Sequence, residues 1–159
     1  SGEIAVRVEP ERPVGLFQEY LDAPEATARC YRGGWFLTGD CAHVDEDGYL
    51  WFEARADDVI TSSAYRIGPF EVESALMEHP SVAEVAVVGK PDPQRTELVK
   101  AFVVLAAGFE GDDHLREELQ EHVKRTTAPY KYPREIEFLD ELPKTVTGKI
   151  RRVELRERG

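Results

Sequence analysis

Two short runs rich in valine and alanine, Val82 to Val88 and Leu98 to Leu105, set the tightest limits on how this chain can fold. They are too short for helices that would bury every face, and they read as strands inside a sheet. Around them the apolar period changes. Pro69 precedes Phe70 through Glu78, a helix with proline near its first turn and apolar residues at Val72, Ala75 and Leu76. Asp113 is placed to cap a second helix, whose Leu115, Leu119 and Val123 form one apolar stripe. Arg134 to Leu139 alternates as a third strand, and Val153 to Arg156 closes with a short helix. Helix, strand, strand, helix, strand describes a compact α+β domain of about 100 residues, a small sheet flanked by helices.

The part before about Asp57 reads as β structure. Gly2 to Val8 alternates apolar and polar at period two. Trp35-Phe36-Leu37-Thr38 and Tyr49-Leu50-Trp51-Phe52-Glu53 flank the turn-rich Asp45-Glu46-Asp47-Gly48, the pattern of a hairpin. So few strands leave exposed edges, so this segment is expected to complete a larger sheet, and its abrupt start on a strand reads as a cut. No internal repeat or low-complexity segment interrupts the chain.

Composition removes several function classes. Hydrophobic residues at 42% and charged ones at 32% are those of a globular protein. No apolar run approaches the roughly 18 residues of a membrane span, and no basic-then-apolar pattern opens the sequence. Cys30 and Cys41 lack the spacing of a disulfide or zinc framework, so no metal site is expected and a reducing, cytoplasmic setting is the default. A net charge of −11 argues against a nucleic-acid surface. Yet Lys124, Arg125, Lys131, Arg134, Lys144, Lys149, Arg151, Arg152, Arg156 and Arg158 crowd the last third. That basic end suits either a small polyanion or a merely solvated face.

Three motifs carry chemistry. In Trp35-Phe36-Leu37-Thr38-Gly39-Asp40, a carboxylate held on a strand-end glycine turn can accept hydrogen bonds from the vicinal hydroxyls of a ribose, or the pair is only a turn. In Arg55 to Pro69, two arginines flank small hydroxyl residues just before a helix. A guanidinium fork and a helix N-terminus both attract phosphate, whereas an ion pair of Arg55 with Asp57 or Asp58 is the plainer alternative. In Leu142 to Arg152, Thr147-Gly148-Lys149 exposes a lysine on a flexible glycine, a mobile point charge for an oxyanion. No glycine stands five residues before Gly148, so this is not a phosphate-binding P-loop.

Taken in order, Gly39-Asp40, Arg55-x-Asp57-Asp58, Tyr65-Arg66-Ile67-Gly68-Pro69-x-Glu71-Val72-Glu73 and Pro143-Lys144-Thr145-x-Thr147-Gly148-Lys149-Ile150 resemble the adenylate-forming superfamily. The resemblance covers nearly the whole chain. His122-Val123-Lys124, Thr127 to Arg134 and Ser62 to Arg66 look most like the AMP-forming medium-chain acyl-CoA synthetases.

The resemblance implies a β-rich end of a large N-terminal domain over residues 1–56 and a mobile C-terminal lid domain over 57–159. It implies a ligase using ATP, coenzyme A and Mg2+ bound through the ATP phosphates, acting on a small carboxylic acid, with the N-terminal domain of the same chain as its partner. Asp40 would hold the ribose, Arg55 would support it, and Arg66 would meet phosphate oxygens. Lys149 would be the catalytic lysine of acyl-adenylate formation, and Asp57 the hinge. Ser63, Ala64 and Tyr65 would line the pantetheine path, with Arg95, Lys124 and Tyr132 nearer the nucleotide end of coenzyme A. Ala64 replaces a glycine usual in the family, which would narrow the thiol path. The family's phosphate loop and acyl pocket lie in the N-terminal domain, so the chain alone is not expected to complete the reaction. Two other readings remain open: an adenylation domain loading a carrier-protein thiol, and a non-catalytic binding module with the lid fold.

Overall fold

One strand organises most of the computed structural model, which describes residues 2–158. It is β8 (Thr96–Leu105), paired antiparallel with β7 (Val82–Asp92) along its whole length and parallel with β9 (Glu135–Phe138) on its other side. A small antiparallel hairpin, β5 (Ile60–Ser62) and β6 (Tyr65–Ile67), joins β8 at one register pair, Ser62 with Thr96. Helices α2 (Pro69–Met77), α3 (Asp113–Thr126) and α4 (Arg152–Glu157) complete this five-stranded unit. The fold is α+β.

The two apolar runs of the sequence are the paired halves of β7 and β8, and both faces of that pair are buried. Val85, Val87, Val99, Ala101 and Val103 share one cluster with the apolar stripes of α2 and α3. The alternate residues Ala86, Val88 and Phe102 form a second cluster with Leu142 and Leu155. A strand wetted on one face must alternate; these cannot, because each face has its own core. α2 starts on Pro69 after Gly68, as the proline requires. The cap of α3 is Asp112, not Asp113: its Oδ1 accepts the Leu115 N–H at 2.8 Å, and Asp113 is already the first helical residue. The β5–β6 hairpin lies outside the element order expected from sequence, since three-residue strands are too short to show a period.

β9 is an edge strand, and α3 covers it. Arg116 Nε donates to the Ile136 carbonyl at 3.2 Å and Gln120 Nε2 to the Arg134 carbonyl at 3.3 Å. These side chains occupy acceptors that would otherwise template another strand.

The described residues divide between Asp57 and Asp58 into two compact units. In the first, β3 (Trp35–Val44) pairs antiparallel with β1 (Gly2–Arg7), β2 (Tyr31–Arg32) and β4 (Leu50–Arg55). Asp45 shapes the β3–β4 turn, accepting from the Trp51 indole at 2.6 Å and from the Tyr49 amide at 2.9 Å. Those bonds, the indole's foremost, hold its carboxyl below the usual carboxylate range. Residues 1–56 were expected to be β-rich; within them Pro24–Arg29 forms a short helix, α1, that the pattern did not show. Pro24 presets its first turn, and Thr27 Oγ1 donates back to the Ala23 carbonyl at 3.1 Å. Among the described residues of this unit, only Cys41, Ala42 and Ala54 are buried apolar ones.

The second unit buries a lysine. Lys100 is 5% exposed; its ammonium lies 3.0 Å from Glu137 and 4.7 Å from the centre of the Phe102 ring. Arg158 also reaches Glu137, at 3.0 Å. Burial pushes the Glu137 carboxyl up, but Lys100 and then Arg158 outweigh it and hold it below its usual 4.5. A depressed carboxylate stabilises the fold above its unfolded value and loses that contribution as pH falls through the folded one. The expected outcome is a chemical-denaturation midpoint for the second unit that declines below about pH 4.5. Glu137→Gln should flatten that acid limb and lower stability at neutral pH, where Lys100 loses its nearest counter-charge.

Candidate functional site

In the first unit the Gly39–Asp40 pair lies inside β3, not at a strand-end turn. Opposite Ile4 the strand carries extra residues, a bulge in the β1–β3 register, and Gly39 adopts φ +77° there. A Cβ on residue 39 would lie 2.6 Å from Arg55 Nη2, so glycine is required twice over. It lets the guanidinium lie against the backbone. Register then pairs Asp40 with Arg55, and Arg55 Nη1 donates to Asp40 Oδ1 and to the Thr38 carbonyl, both at 3.1 Å. Arg55 Nε reaches Asp57 Oδ1 at 3.3 Å. So the ion pair with Asp57 exists alongside the pair with Asp40, whereas Asp58 pairs with Arg156. A carboxylate fixed at one oxygen by a guanidinium, and still 39% exposed, can accept from neighbouring hydroxyls.

In the second unit Ser63 and Ala64 make the two-residue turn of the β5–β6 hairpin. Ser63 holds φ +56°, and its N–H donates to the Arg95 carbonyl at 2.7 Å. Arg95 Nη1 lies 3.4 Å from Ser63 Oγ. Ala64 is not in the left-handed region, so its methyl strains no backbone; any effect it has is one of bulk. Tyr65 stacks on Tyr130, with ring centres 4.1 Å apart. Arg66, on β6 opposite Thr61, is exposed, and its guanidinium has no hydrogen bond or ion pair among the described residues. Lys124 and Arg134 lie over Tyr132, at 4.2 and 4.8 Å from the ring centre, and Arg134 donates to the Tyr132 hydroxyl at 2.8 Å. Sequence reasoning assigned no role to Tyr130 or Arg134, although both stand in the Thr127 to Arg134 stretch that carries the resemblance.

The basic end of the sequence is not a bare positive patch. Seven of its ten cations face carboxylates: Lys124, Lys131, Lys144, Arg151, Arg152, Arg156 and Arg158. Arg125 donates to a backbone carbonyl and Arg134 to a phenol. Lys149 stands apart, exposed and with no partner for its ammonium among the described residues.

What holds Lys149 is its backbone. Lys144 and Ile150 form an antiparallel bridge, the Gly148 N–H donates to the Thr145 carbonyl at 2.9 Å, and the Thr145 N–H donates to the Lys149 carbonyl at 2.8 Å. The Lys149 N–H donates to Thr145 Oγ1 at 3.1 Å. Gly148 is therefore the fixed φ +83° corner of a tight turn, where a flexible glycine was expected. Both flanks are tied down. Lys144 pairs with Glu84 at 2.6 Å, and Arg152 with the buried Glu73 at 2.6 Å. Glu73 Oε1 also accepts the Val87 N–H of β7 at 2.8 Å. A free cation on a braced loop can stabilise an oxyanion without first being drawn from an ion pair.

Residues 71–149 match the family model of the AMP-binding enzyme C-terminal domain. The chain carries an AMP-binding enzyme C-terminal domain. It is 62% identical over 160 residues to mouse (Mus musculus) acyl-coenzyme A synthetase ACSM3, mitochondrial, a match covering 99% of this chain and 28% of the relative. Among solved structures, Brucella canis acyl-CoA synthetase is 60% identical with a TM-score of 0.64, over 80% of this chain and 24% of that one. The amide bond synthetase McbA from Marinactinospora thermotolerans is 39% identical with a TM-score of 0.78, over 99% and 31%. The chain thus spans about a quarter of the curated relatives it matches. The default of a cytoplasmic setting is overturned, because the mouse, rat and human relatives are named mitochondrial. Cysteine usage reports redox poise, and that does not separate one reducing compartment from another.

If Glu73 braces the Lys149 loop as described, Glu73→Ala should lower the unfolding free energy by about 3 kcal/mol, as expected when one member of a buried pair is removed. Glu73→Gln keeps an acceptor for Val87 and should cost less. Urea denaturation of the three proteins reads the difference.

Proposed function

We propose that this chain is the C-terminal part of an ATP-dependent carboxylic acid–CoA ligase acting on medium-chain or short fatty acids in the mitochondrion. One observation carries the reading: Lys149, a cation without a partner among the described residues, is braced on both flanks in a chain 62% identical to an acyl-CoA synthetase. In the first half-reaction the acid's carboxylate oxygen attacks the α-phosphorus of ATP and pyrophosphate leaves. Lys149 bridges the acyl oxygen and the α-phosphate, where negative charge grows in the transition state. Asp40, held by Arg55, accepts from the ribose hydroxyls; Arg66 meets the phosphates. Mg2+ enters on the ATP phosphates.

In the second half-reaction the thiol of coenzyme A attacks the acyl carbon and AMP leaves with the bonding pair. Ser63, Ala64 and Tyr65 line the thiol's path, and Arg95, Lys124 and Tyr132 meet the nucleotide end. Asp57 is the hinge, a role supported by its place at the end of the first unit. Residues 1–56 belong to the end of a larger domain that supplies the acyl pocket. Their exposed Tyr49, Leu50, Trp51 and Phe52 support that reading, since so small a unit leaves them uncovered. The carrier-protein alternative loses ground to the cationic positions Arg95 and Lys124, because a tethered arm brings no nucleotide to hold.

In the complete enzyme, Lys149→Ala should slow acyl-adenylate formation, read by pyrophosphate exchange, by about 10²–10³-fold. Transfer from supplied acyl-AMP to coenzyme A should stay within about threefold, a change worth less than one hydrogen bond. Equal damage to both half-reactions would contradict the role given to Lys149. Ala64→Leu should do the reverse, raising the KM for coenzyme A while exchange is unchanged; Ala64→Gly should lower that KM. If leucine left thioester formation untouched, the Ser63–Tyr65 turn would not lie on the thiol path.

A further inference from the structure

We propose that Glu97 is the positioning residue of the β5–β6 hairpin, and so of the Ser63–Tyr65 turn; its effect on turnover rests on the thiol-path reading above. The hairpin needs an anchor because it is barely part of the sheet. A single register pair, Ser62 with Thr96, joins it to β8, and the residues at that junction are bent, with φ +70° at Thr96 and +56° at Ser63. The ladder therefore ends where it would begin to hold β5.

Glu97 supplies the missing acceptor. Its Oε2 takes the Thr61 N–H at 2.7 Å, while the carbonyl of Arg95, on the other side of Thr96, takes the Ser63 N–H at 2.7 Å. A carboxylate accepting a backbone amide is among the stronger hydrogen bonds available to an exposed hairpin. The space for it is specific. Gly89 lies within β7, buried and outside the positive-φ region, so its own backbone does not call for glycine. A Cβ there would lie 2.6 Å from Glu97 Oε1 and 2.8 Å from Cδ. The glycine makes room for the carboxylate, and the carboxylate holds the hairpin.

The test uses the complete enzyme with Glu97→Ala, Glu97→Gln and Gly89→Ala, read by amide hydrogen exchange and by steady-state kinetics. Glu97→Ala should strip protection from Thr61 and Ser63 while Val87 and Val103 in the core keep theirs. It should raise the KM for coenzyme A by about tenfold, the loss expected for one such bond, with kcat changing less. Glu97→Gln retains an acceptor oxygen and should stay within about twofold of the parent on both readouts. Gly89→Ala, which leaves Glu97 in place but displaces it, should reproduce the alanine phenotype. Unchanged exchange at Thr61 in Glu97→Ala overturns the proposal, and so does a loss spread evenly to Val87, which would make Glu97 a general stabilising residue. If the parent enzyme forms no thioester, the activity reading falls, and exchange at Thr61 still decides the role of Glu97.

Discussion

The carboxylate of Glu73 sits where α2, β7 and α4 meet, and the position of the candidate catalytic loop depends on it. Its Oε1 accepts both the Val87 N–H of the central sheet and the guanidinium of Arg152 at the start of α4. A group so buried would be costly alone, and it is retained because both partners are present. Leu155, buried on the next turn of α4, packs against Phe102 and Leu142 in the second cluster. A six-residue helix has too few internal hydrogen bonds to be stable by itself. Charge pairing from Glu73 and burial of Leu155 together fix where the chain goes after Lys149.

Around that anchor the molecule separates what is rigid from what is available. In the second unit most cations of the basic end are engaged by carboxylates; Lys149, and Arg66 on β6, have no such partner among the described residues and are candidates for contact with phosphate. In the first unit Arg55 is engaged by Asp40 and Asp57, and there the guanidinium serves to aim a carboxylate. Two glycines make the close approaches possible for different reasons. Gly39 accepts a left-handed backbone and an overlying arginine, whereas Gly89 has ordinary dihedrals and yields only its side-chain volume to Glu97. Glycine within a strand is costly, and in both places a charged side chain occupies the room it leaves.

The sequence by itself determined the elements whose signals are local and periodic. The β7 and β8 runs, the apolar stripe of α3, the proline start of α2 and the β3–β4 hairpin could each be read from spacing, because burial writes its period into the chain. The order of the short motifs identified the family, and the functional candidates with it. What only the tertiary structure decided lies where distant residues meet. Four of the cations near the end of the sequence are neutralised by Glu71, Glu73, Glu84 and Asp58, which are up to 98 residues away and show no spacing relation to them. Gly39 proved to be a bulge inside a strand because its partners, Glu3 and Arg55, come from β1 and the end of β4. Glu97 could not be singled out at all, since its amide partner and its glycine lie on two other strands. Period and local propensity are properties of neighbours along the chain, whereas charge pairing and close approach are properties of neighbours in space, and only folding makes those.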